Sequence, residues 1–237
     1  MRMNISIMLS VLSTLSHASA CPSPDSLSLA RLETTSHNQV ILAKLGSRIQ
    51  AISEGAFVQF EGTLSARGRL KVRELMWAGV ESRPAQFVDQ IPIVSRILGD
   101  LKFTPATRNA IPIAVSIVGH AVLRNGEPAI VKLTHYLPEL PSDQITAPQM
   151  IGSIGQSQVP KSQNAWVFVV LVDPSGKVMK VFSSSPAFDP DDLQGSINVS
   201  EADRRRLLAL FDKLTDQCFI PGERDGSPAL LPFIKVQ

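Results

Sequence analysis

The stretch from Leu98 to Pro112 reads LGDLKFTPATRNAIP, and a second stretch from Leu214 to Pro228 reads LTDQCFIPGERDGSP. At an offset of 116 residues the two stretches share six identical residues, and Asn109-Ala110 falls on Asp225-Gly226, a similar turn pair. The identical residues are Leu98, Asp100, Phe103, Pro105, Arg108 and Pro112, matched by Leu214, Asp216, Phe219, Pro221, Arg224 and Pro228. Six matches in register indicate a tandem duplication.

Each of these stretches follows a predicted β-hairpin and a predicted helix. The hairpins run through Phe57–Leu64 and Arg69–Leu75 in the first half, and through Trp166–Val172 and Lys177–Phe182 in the second half. Both hairpins turn at segments that end in glycine, and residue types alternate along the arms, as half-buried strands require. We therefore expect an α+β fold of two small units, each with an antiparallel β-hairpin, a helix and a third strand.

The helices are predicted from apolar residues that recur every three to four positions. In the first unit this pattern begins near Asp89, and we expect Pro92 to lie in the first helical turn, where its missing N–H costs nothing. In the second unit Ser200 and Asp203 form a capping signature before a leucine-rich stretch.

The order hairpin, helix, Phe-x-Pro, polar turn and Pro before a final strand resembles the C-terminal domain of TonB-type energy transducers. This resemblance implies a β-β-α-β unit that binds a short extended peptide by lending it a sheet edge, which is β-augmentation. The matching residues are chemically unreactive and mark the fold: Phe103, Pro105, Arg108, Pro112, Phe219, Pro221, Arg224 and Pro228. The second unit departs from the family at Gly222, where Ala is usual, and the transmembrane anchor and Pro-rich spacer of the family are missing.

The remaining segments give the expected domain boundaries. Residues 1–20 are predicted to be a signal peptide, and residues 21–136 a first TonB-C-like unit with an N-terminal helix over Leu27–Ile52 and an extra hairpin about Asn125-Gly126. Residues 137–165 contain four prolines with little periodicity and are interpreted as a linker. Residues 166–237 form the second unit.

The signal peptide assignment rests on Arg2, the short apolar stretch Ile5–Leu15 and the small residues Ala18-Ser19-Ala20. The stretch is too short for a transmembrane span, which needs about 20 apolar residues. Two alternatives then exist for Cys21. It is either lipidated, as in a membrane-tethered lipoprotein, or joined by a disulfide to Cys218, the only other cysteine. We expect a periplasmic or secreted protein.

Composition and motifs argue against nucleic-acid binding and against a catalytic or metal site. The mature chain has 22 basic and 21 acidic residues, a net charge of +1, which disfavours nucleic acid as a partner. The basic runs Arg67–Arg73 and Arg204–Arg206 are interpreted as solvated faces. His37, His120 and His135 do not have metal-ligand spacing, so no catalytic, cofactor-binding or metal site is predicted.

The sequence thus predicts a non-enzymatic protein- or peptide-binding or assembly module of the cell envelope, whose partner is a protein or an extended peptide. Two alternatives come from other classes. One is an exported hydrolase whose site is assembled from residues distant in sequence, and the other is a structural envelope lipoprotein held by Cys21.

Overall fold

A computed structural model describes residues 21–23, 26–50, 57–77, 85–122, 127–134, 145–152, 166–185, 187–188 and 200–236. The predicted signal peptide, residues 1–20, lies outside the described residues. The architecture is α+β, as predicted: mostly sheet, with three helices in the described ranges, which are α1 (Ser36–Gln50), α2 (Ala85–Gly99) and α3 (Glu201–Thr215).

The strands are short except for the two hairpins and the strands that pair with them. In chain order they are β1 (Leu27–Ser28), β2 (Arg31–Leu32), β3 (Phe57–Leu64), β4 (Leu70–Trp77), β5 (Phe103–Thr104), β6 (Ala106–Arg108), β7 (Ile111–Ile113), β8 (Val115–Val122), β9 (Ile130–Lys132), β10 (Ile145–Thr146), β11 (Gln149–Ile151), β12 (Val167–Val172), β13 (Val178–Ser185), β14 (Ala187–Phe188), β15 (Phe219–Ile220), β16 (Glu223–Arg224), β17 (Ser227–Pro228) and β18 (Leu231–Val236).

Two sheets with the same local arrangement organise the molecule. In the first module, which we define as residues 57–122, β3 lies between β4 and β8 and is antiparallel to both. In the second module, residues 167–236, β12 lies between β13 and β18 in the same way. Each hairpin is followed by a helix that packs on it, α2 on β4 and α3 on β13.

The hairpin turns explain why these segments fold locally. In the first turn the hydroxyl of Ser65 accepts hydrogen bonds from the backbone N–H groups of Arg67 and Arg69, and in the second the carboxylate of Asp173 accepts them from Ser175 and Lys177. Such side-chain acceptors stabilise turns at little cost. The glycine that ends each turn has φ of +70° at Gly68 and +82° at Gly176.

Each module has its own buried core. The first lies between α1, α2 and one face of the β4-β3-β8 sheet, and the largest of its fully buried side chains include Phe60, Phe87 and Phe103. The second lies beneath α3, where Phe168 contacts Phe211 and Phe219 contacts Phe233, both in T-shaped, edge-to-face arrangements. Val118 of β8 belongs to the second core, so the two modules pack together.

The N-terminal segment differs from the prediction. A helix was expected over Leu27–Ile52, but α1 begins only at Ser36. Residues 27–32 are extended instead, because β1 pairs with β6 and β2 pairs with β5. Tertiary pairing with residues 71 to 81 positions away in the sequence therefore overrides the local apolar pattern.

The segment expected to be a linker also contains strands. Within 137–165, β10 pairs with β16, and β11 pairs with both β15 and β8. Ala147, Gln149 and Met150 are buried there. The prolines and the lack of periodicity hid these strands, because two-residue pairings need no repeating pattern.

Two further expectations concern α2 and the extra hairpin. The helix begins at Ala85, four residues before the expected start, so Pro92 lies in its interior. Pro92 has no N–H to donate to the carbonyl of Val88, and both residues are exposed. The turn at Asn125-Gly126 lies outside the described residues, but its flanking strands β8 and β9 pair antiparallel.

Candidate functional site

The third strands of the two modules, β8 and β18, occupy matching places and have different neighbours. β8 pairs with β3 from Leu64↔Val115 to Phe57↔Val122, and β18 pairs with β12 from Val172↔Leu231 to Val167↔Val236. The question for binding is what lies on the other edge of each strand, since an unpaired edge presents a row of backbone donors and acceptors.

The other edge of β8 is occupied by the chain itself. β9 pairs with its last three residues, with His120 opposite Lys132, and β11 pairs with its first two residues, with Ser116 opposite Met150. Ser116 also donates from its hydroxyl to the carbonyl oxygen of Gly152 at 2.8 Å. This edge is therefore unavailable to a partner.

The other edge of β18 has no strand paired with it among the described residues. Leu231 and Phe233 are buried, whereas Pro232 and Ile234 are half-buried on the opposite face. A proline inside a strand is tolerated at a sheet edge, where its missing N–H does not interrupt a ladder. The backbone edge of β18 that precedes Ile234 is the candidate functional site, since Ile234 already makes a further contact of its own.

The molecule already contains two extended segments that bind through backbone pairing. Residues 27–32 pair with β6 and β5 in the first module, and residues 145–150 pair with β16 and β15 in the second. The registers match, since Arg31 is opposite Thr104 and Gln149 is opposite Ile220: the partner residues are 116 positions apart and the added segments 118 positions apart. Each module thus carries an added strand on the loop after its helix.

Gln149 connects the two added segments. Its buried side chain accepts a hydrogen bond from the backbone N–H of Ala30 at 2.8 Å and donates to the carbonyl oxygen of Ala30 at 3.0 Å. Next to this pair, Arg31 forms a salt bridge with Glu223 at 2.7 Å. Sequence reasoning missed Gln149, because nothing local distinguishes it from the polar residues of a linker.

The eight motif residues are divided between the modules and do not form one site. Phe103 and Phe219 are buried, and their N–H groups donate to the carbonyl oxygens of Gly68 and Gly176 at 3.3 Å. The others line the small hairpins after each helix: Pro105, Arg108, Pro112, Pro221, Arg224 and Pro228. In these hairpins Thr107 is opposite Pro112, as Glu223 is opposite Pro228.

The two cysteines form a disulfide in the structure, with Cα atoms of Cys21 and Cys218 5.4 Å apart. Of the two alternatives for Cys21, the structure therefore contains the disulfide. Cys218 directly precedes β15, so the bond attaches the N-terminal segment to the second module across 197 residues of sequence.

A set of buried polar residues lies on the face of the first sheet opposite its core. His120, Ser116 and Glu61 are buried there, and Arg73 donates to the hydroxyls of Thr63 and Ser116. Their alternation with core residues follows the two-residue period of strands. His120 Nδ1 donates to the carbonyl oxygen of Thr134 at 2.6 Å.

Burial lowers the pKa of His120 by destabilising the charged imidazolium. The hydrogen bond to Thr134 acts in the opposite direction and Lys132 adds to the lowering, so the imidazole is neutral at pH 7. His37 is exposed, and His135 lies outside the described residues.

Within the described ranges, no group of three or more His, Cys, Asp or Glu side chains is placed to hold a metal ion. No helix in those ranges is long and apolar enough to cross a membrane. Comparison of the chain with protein-family models, curated proteins and solved structures gave no match.

Proposed function

We propose that this chain is an exported, non-enzymatic protein- or peptide-binding module of the cell envelope that pairs an extended segment of its partner with the outer edge of β18. The observation that carries the proposal is the contrast between β8, whose outer edge is occupied by β9 and β11, and β18, which pairs with β12 alone in the described chain. β-Augmentation at such an edge takes its affinity from main-chain hydrogen bonds.

Two further observations support this mode of binding. The added segments 27–32 and 145–150 are irregular in sequence and still pair through their backbones, which is how an extended partner would bind. The order of elements in each module also agrees with a TonB C-terminal-like β-β-α-β unit, in which a sheet edge takes up a peptide. We propose that the two modules are such units in tandem.

We further propose a periplasmic or secreted location. The signal-like residues 1–20 favour export, and a disulfide between Cys21 and Cys218 agrees with an oxidising compartment. A membrane-tethered lipoprotein is the alternative, since acylated Cys21 could not form that bond. Mass spectrometry of the mature N-terminus distinguishes the two: a diacylated Cys21 would overturn the disulfide-bonded form.

Site-specific photo-crosslinking tests the binding proposal. A photoreactive amino acid replaces Ile234, which is half-buried on β18, in the full chain expressed with its own N-terminal sequence. The matched control places the same group at Met179, which is exposed on β13 and lies on the far side of β12. We expect a discrete adduct with an envelope protein from position 234 only.

The proposal fails if position 234 gives no discrete adduct, or if positions 234 and 179 give the same adducts. A second measurement identifies the mode of binding. When the crosslinked partner is added as a purified protein, backbone amides of 231–236 should exchange more slowly with solvent, whereas amides of β4 should not change.

A further inference from the structure

A group of four exposed cations lies at the turn end of the first hairpin. Arg67 is in the turn, Arg69 follows it, Lys71 is in β4, and Lys102 lies opposite Arg69 in an isolated antiparallel bridge. All four are exposed. We call these four residues the cationic surface.

This arrangement costs stability. Like charges directly opposite on neighbouring strands repel, and Arg69 and Lys102 are such a pair. Within the described residues none of the four forms a salt bridge. The backbone N–H of Glu33 donates to the carbonyl oxygen of Lys102, Asp100 lies two residues before Lys102, and Glu74 lies on β4 with Lys71, but none of these acids forms a salt bridge with the four cations in the described chain.

The second module shows that the fold does not require these cations. At the matching positions it has Ser175, Lys177, Met179 and Cys218, so three of the four positive charges are absent. The turn acceptor also makes the first hairpin more positive than the second, because the first has the neutral hydroxyl of Ser65 where the second has the carboxylate of Asp173. The second module forms the same backbone with a nearly neutral hairpin turn. Folding alone therefore does not explain the positive charge of the first hairpin.

The cations lie on a face of the sheet that is not the core face. Leu70 and Val72 contact the first core, so Arg69 and Lys71 point to the opposite side because neighbouring residues in a strand alternate. Beside them Arg73 and Thr63 are half-buried, and none of the exposed large apolar side chains of the described chain lies there. The surface is therefore polar, basic and built on a sheet.

We propose that the cationic surface docks the protein on an anionic lipid headgroup layer. A row of exposed cations on a sheet matches a surface of phosphate groups, and each Lys or Arg close to such a surface strengthens binding about fivefold. This inference concerns the first module and is independent of strand pairing at β18.

A different interpretation is that charges on the edge strand β4 prevent edge-to-edge association. That interpretation predicts a different outcome. Removing the charges would then cause dimerisation or aggregation, and it would leave binding to lipid unchanged.

Vesicle co-sedimentation of the oxidised mature chain tests the proposal. Vesicles rich in phosphatidylglycerol are compared with vesicles of phosphatidylcholine alone, at low and at physiological salt. We expect binding to the anionic vesicles only, weakened by salt because exposed charges are screened. The triple variant R67Q/R69Q/K71Q should bind about 125-fold more weakly, from three cations at about fivefold each.

The matched control is R204Q/R205Q/R206Q, which changes net charge equally at α3, where Arg205 and Arg206 already have Glu201 and Asp203 within 4 Å. It should bind as the unmodified chain does. Equal losses in both triple variants, or no binding to anionic vesicles by the unmodified chain, would overturn the proposal. Binding to soluble poly-glutamate without binding to vesicles would also overturn it, in favour of an acidic protein partner.

Discussion

The two modules of this chain have the same backbone plan and differ in what covers their third strand. β8 is enclosed by β9 and β11, whereas β18 is paired on one side in the described chain. The modules also differ at the hairpin turn, where one is strongly basic and the other nearly neutral. The features that the modules share maintain the fold, and the features that separate them are where function is to be sought. Five predictions test this division.

The largest effect is expected at the disulfide, which attaches the N-terminal segment to the second module; the first module has Lys102 at the position that matches Cys218. The double variant Cys21→Ser/Cys218→Ser should lose up to about 5 kcal/mol of unfolding free energy, because the unfolded chain gains loop entropy. Urea unfolding measures the loss. Added dithiothreitol should destabilise the unmodified chain and leave the double variant unchanged.

The shared hairpin turns should each be intolerant of a side chain. A Cβ at Gly68 would lie 1.9 Å from the carbonyl oxygen of Phe103, and at Gly176 2.3 Å from that of Phe219. We expect Gly68→Ala and Gly176→Ala each to cost about 3 kcal/mol or more. Gly226→Ala is the control, since its φ is +75° with nothing within 4 Å, and it should cost only about 1 kcal/mol. Equal costs at all three positions would show that φ alone matters.

Gln149 and Arg31 occupy matching positions on the added segments, but only Gln149 is buried. Gln149→Ala should cost about 2–4 kcal/mol, because the N–H and carbonyl of Ala30 would lose their buried partner. Gln217→Ala, which removes an exposed hydrogen bond to the carbonyl oxygen of Lys213, should cost less than 1 kcal/mol. Hydrogen exchange should also show faster opening of residues 27–32 in the Gln149 variant only.

The buried polar face predicts a dependence of stability on pH in the first module. The pKa of His120 is lowered in the folded state, so the unfolded chain binds the proton more tightly. Stability is therefore full above the unfolded pKa of about 6.5 and falls as the pH drops below it. In His120→Gln the loss of unfolding free energy between pH 7 and pH 5 that is due to His120 should vanish, whereas the variant His37→Gln should still show it. Urea midpoints across that range provide the measurement.

The smallest effect concerns the turn pairs Asn109-Ala110 and Asp225-Gly226. Ala110 has φ of +61°, a conformation that glycine adopts without strain, and Gly226 already uses it. Ala110→Gly should therefore raise the unfolding free energy by about 0.5–1 kcal/mol, even though glycine usually destabilises. A lower thermal midpoint for this variant would contradict the proposed equivalence of the two turns.

The sequence predicted the parts of the fold that depend on local chemistry. The turns at Ser65–Gly68 and Asp173–Gly176, the capped helix α3 and the α+β class follow from side-chain hydrogen bonds, glycine conformations and residue periodicity. The start of α2 was placed too late because Pro92 was assumed to need the first turn, whereas it lies in the helix interior, where its surface is exposed.

The parts that were missed depend on contacts between distant residues. β1 and β2 form because residues 103–108 pair with them. Gln149 is buried because it bonds the backbone of Ala30, which is 119 residues away in the sequence. The sequence could not indicate which sheet edge lacks a strand partner in the described chain, nor the contrast between β18 and β8. That contrast requires knowing that the supposed linker supplies β11.

The disulfide also determines how the chain would carry a mechanical load. Because Cys21 is bonded to Cys218, tension applied between the N-terminus and the C-terminus passes through the sulfur atoms and bypasses the 196 residues between them. Only the segment after Cys218, which contains β15 to β18, would bear the load. The first module would be shielded from stretching, and the strand proposed to hold a partner would be the strand under tension. Reduction of the bond would place the whole chain in series with the load.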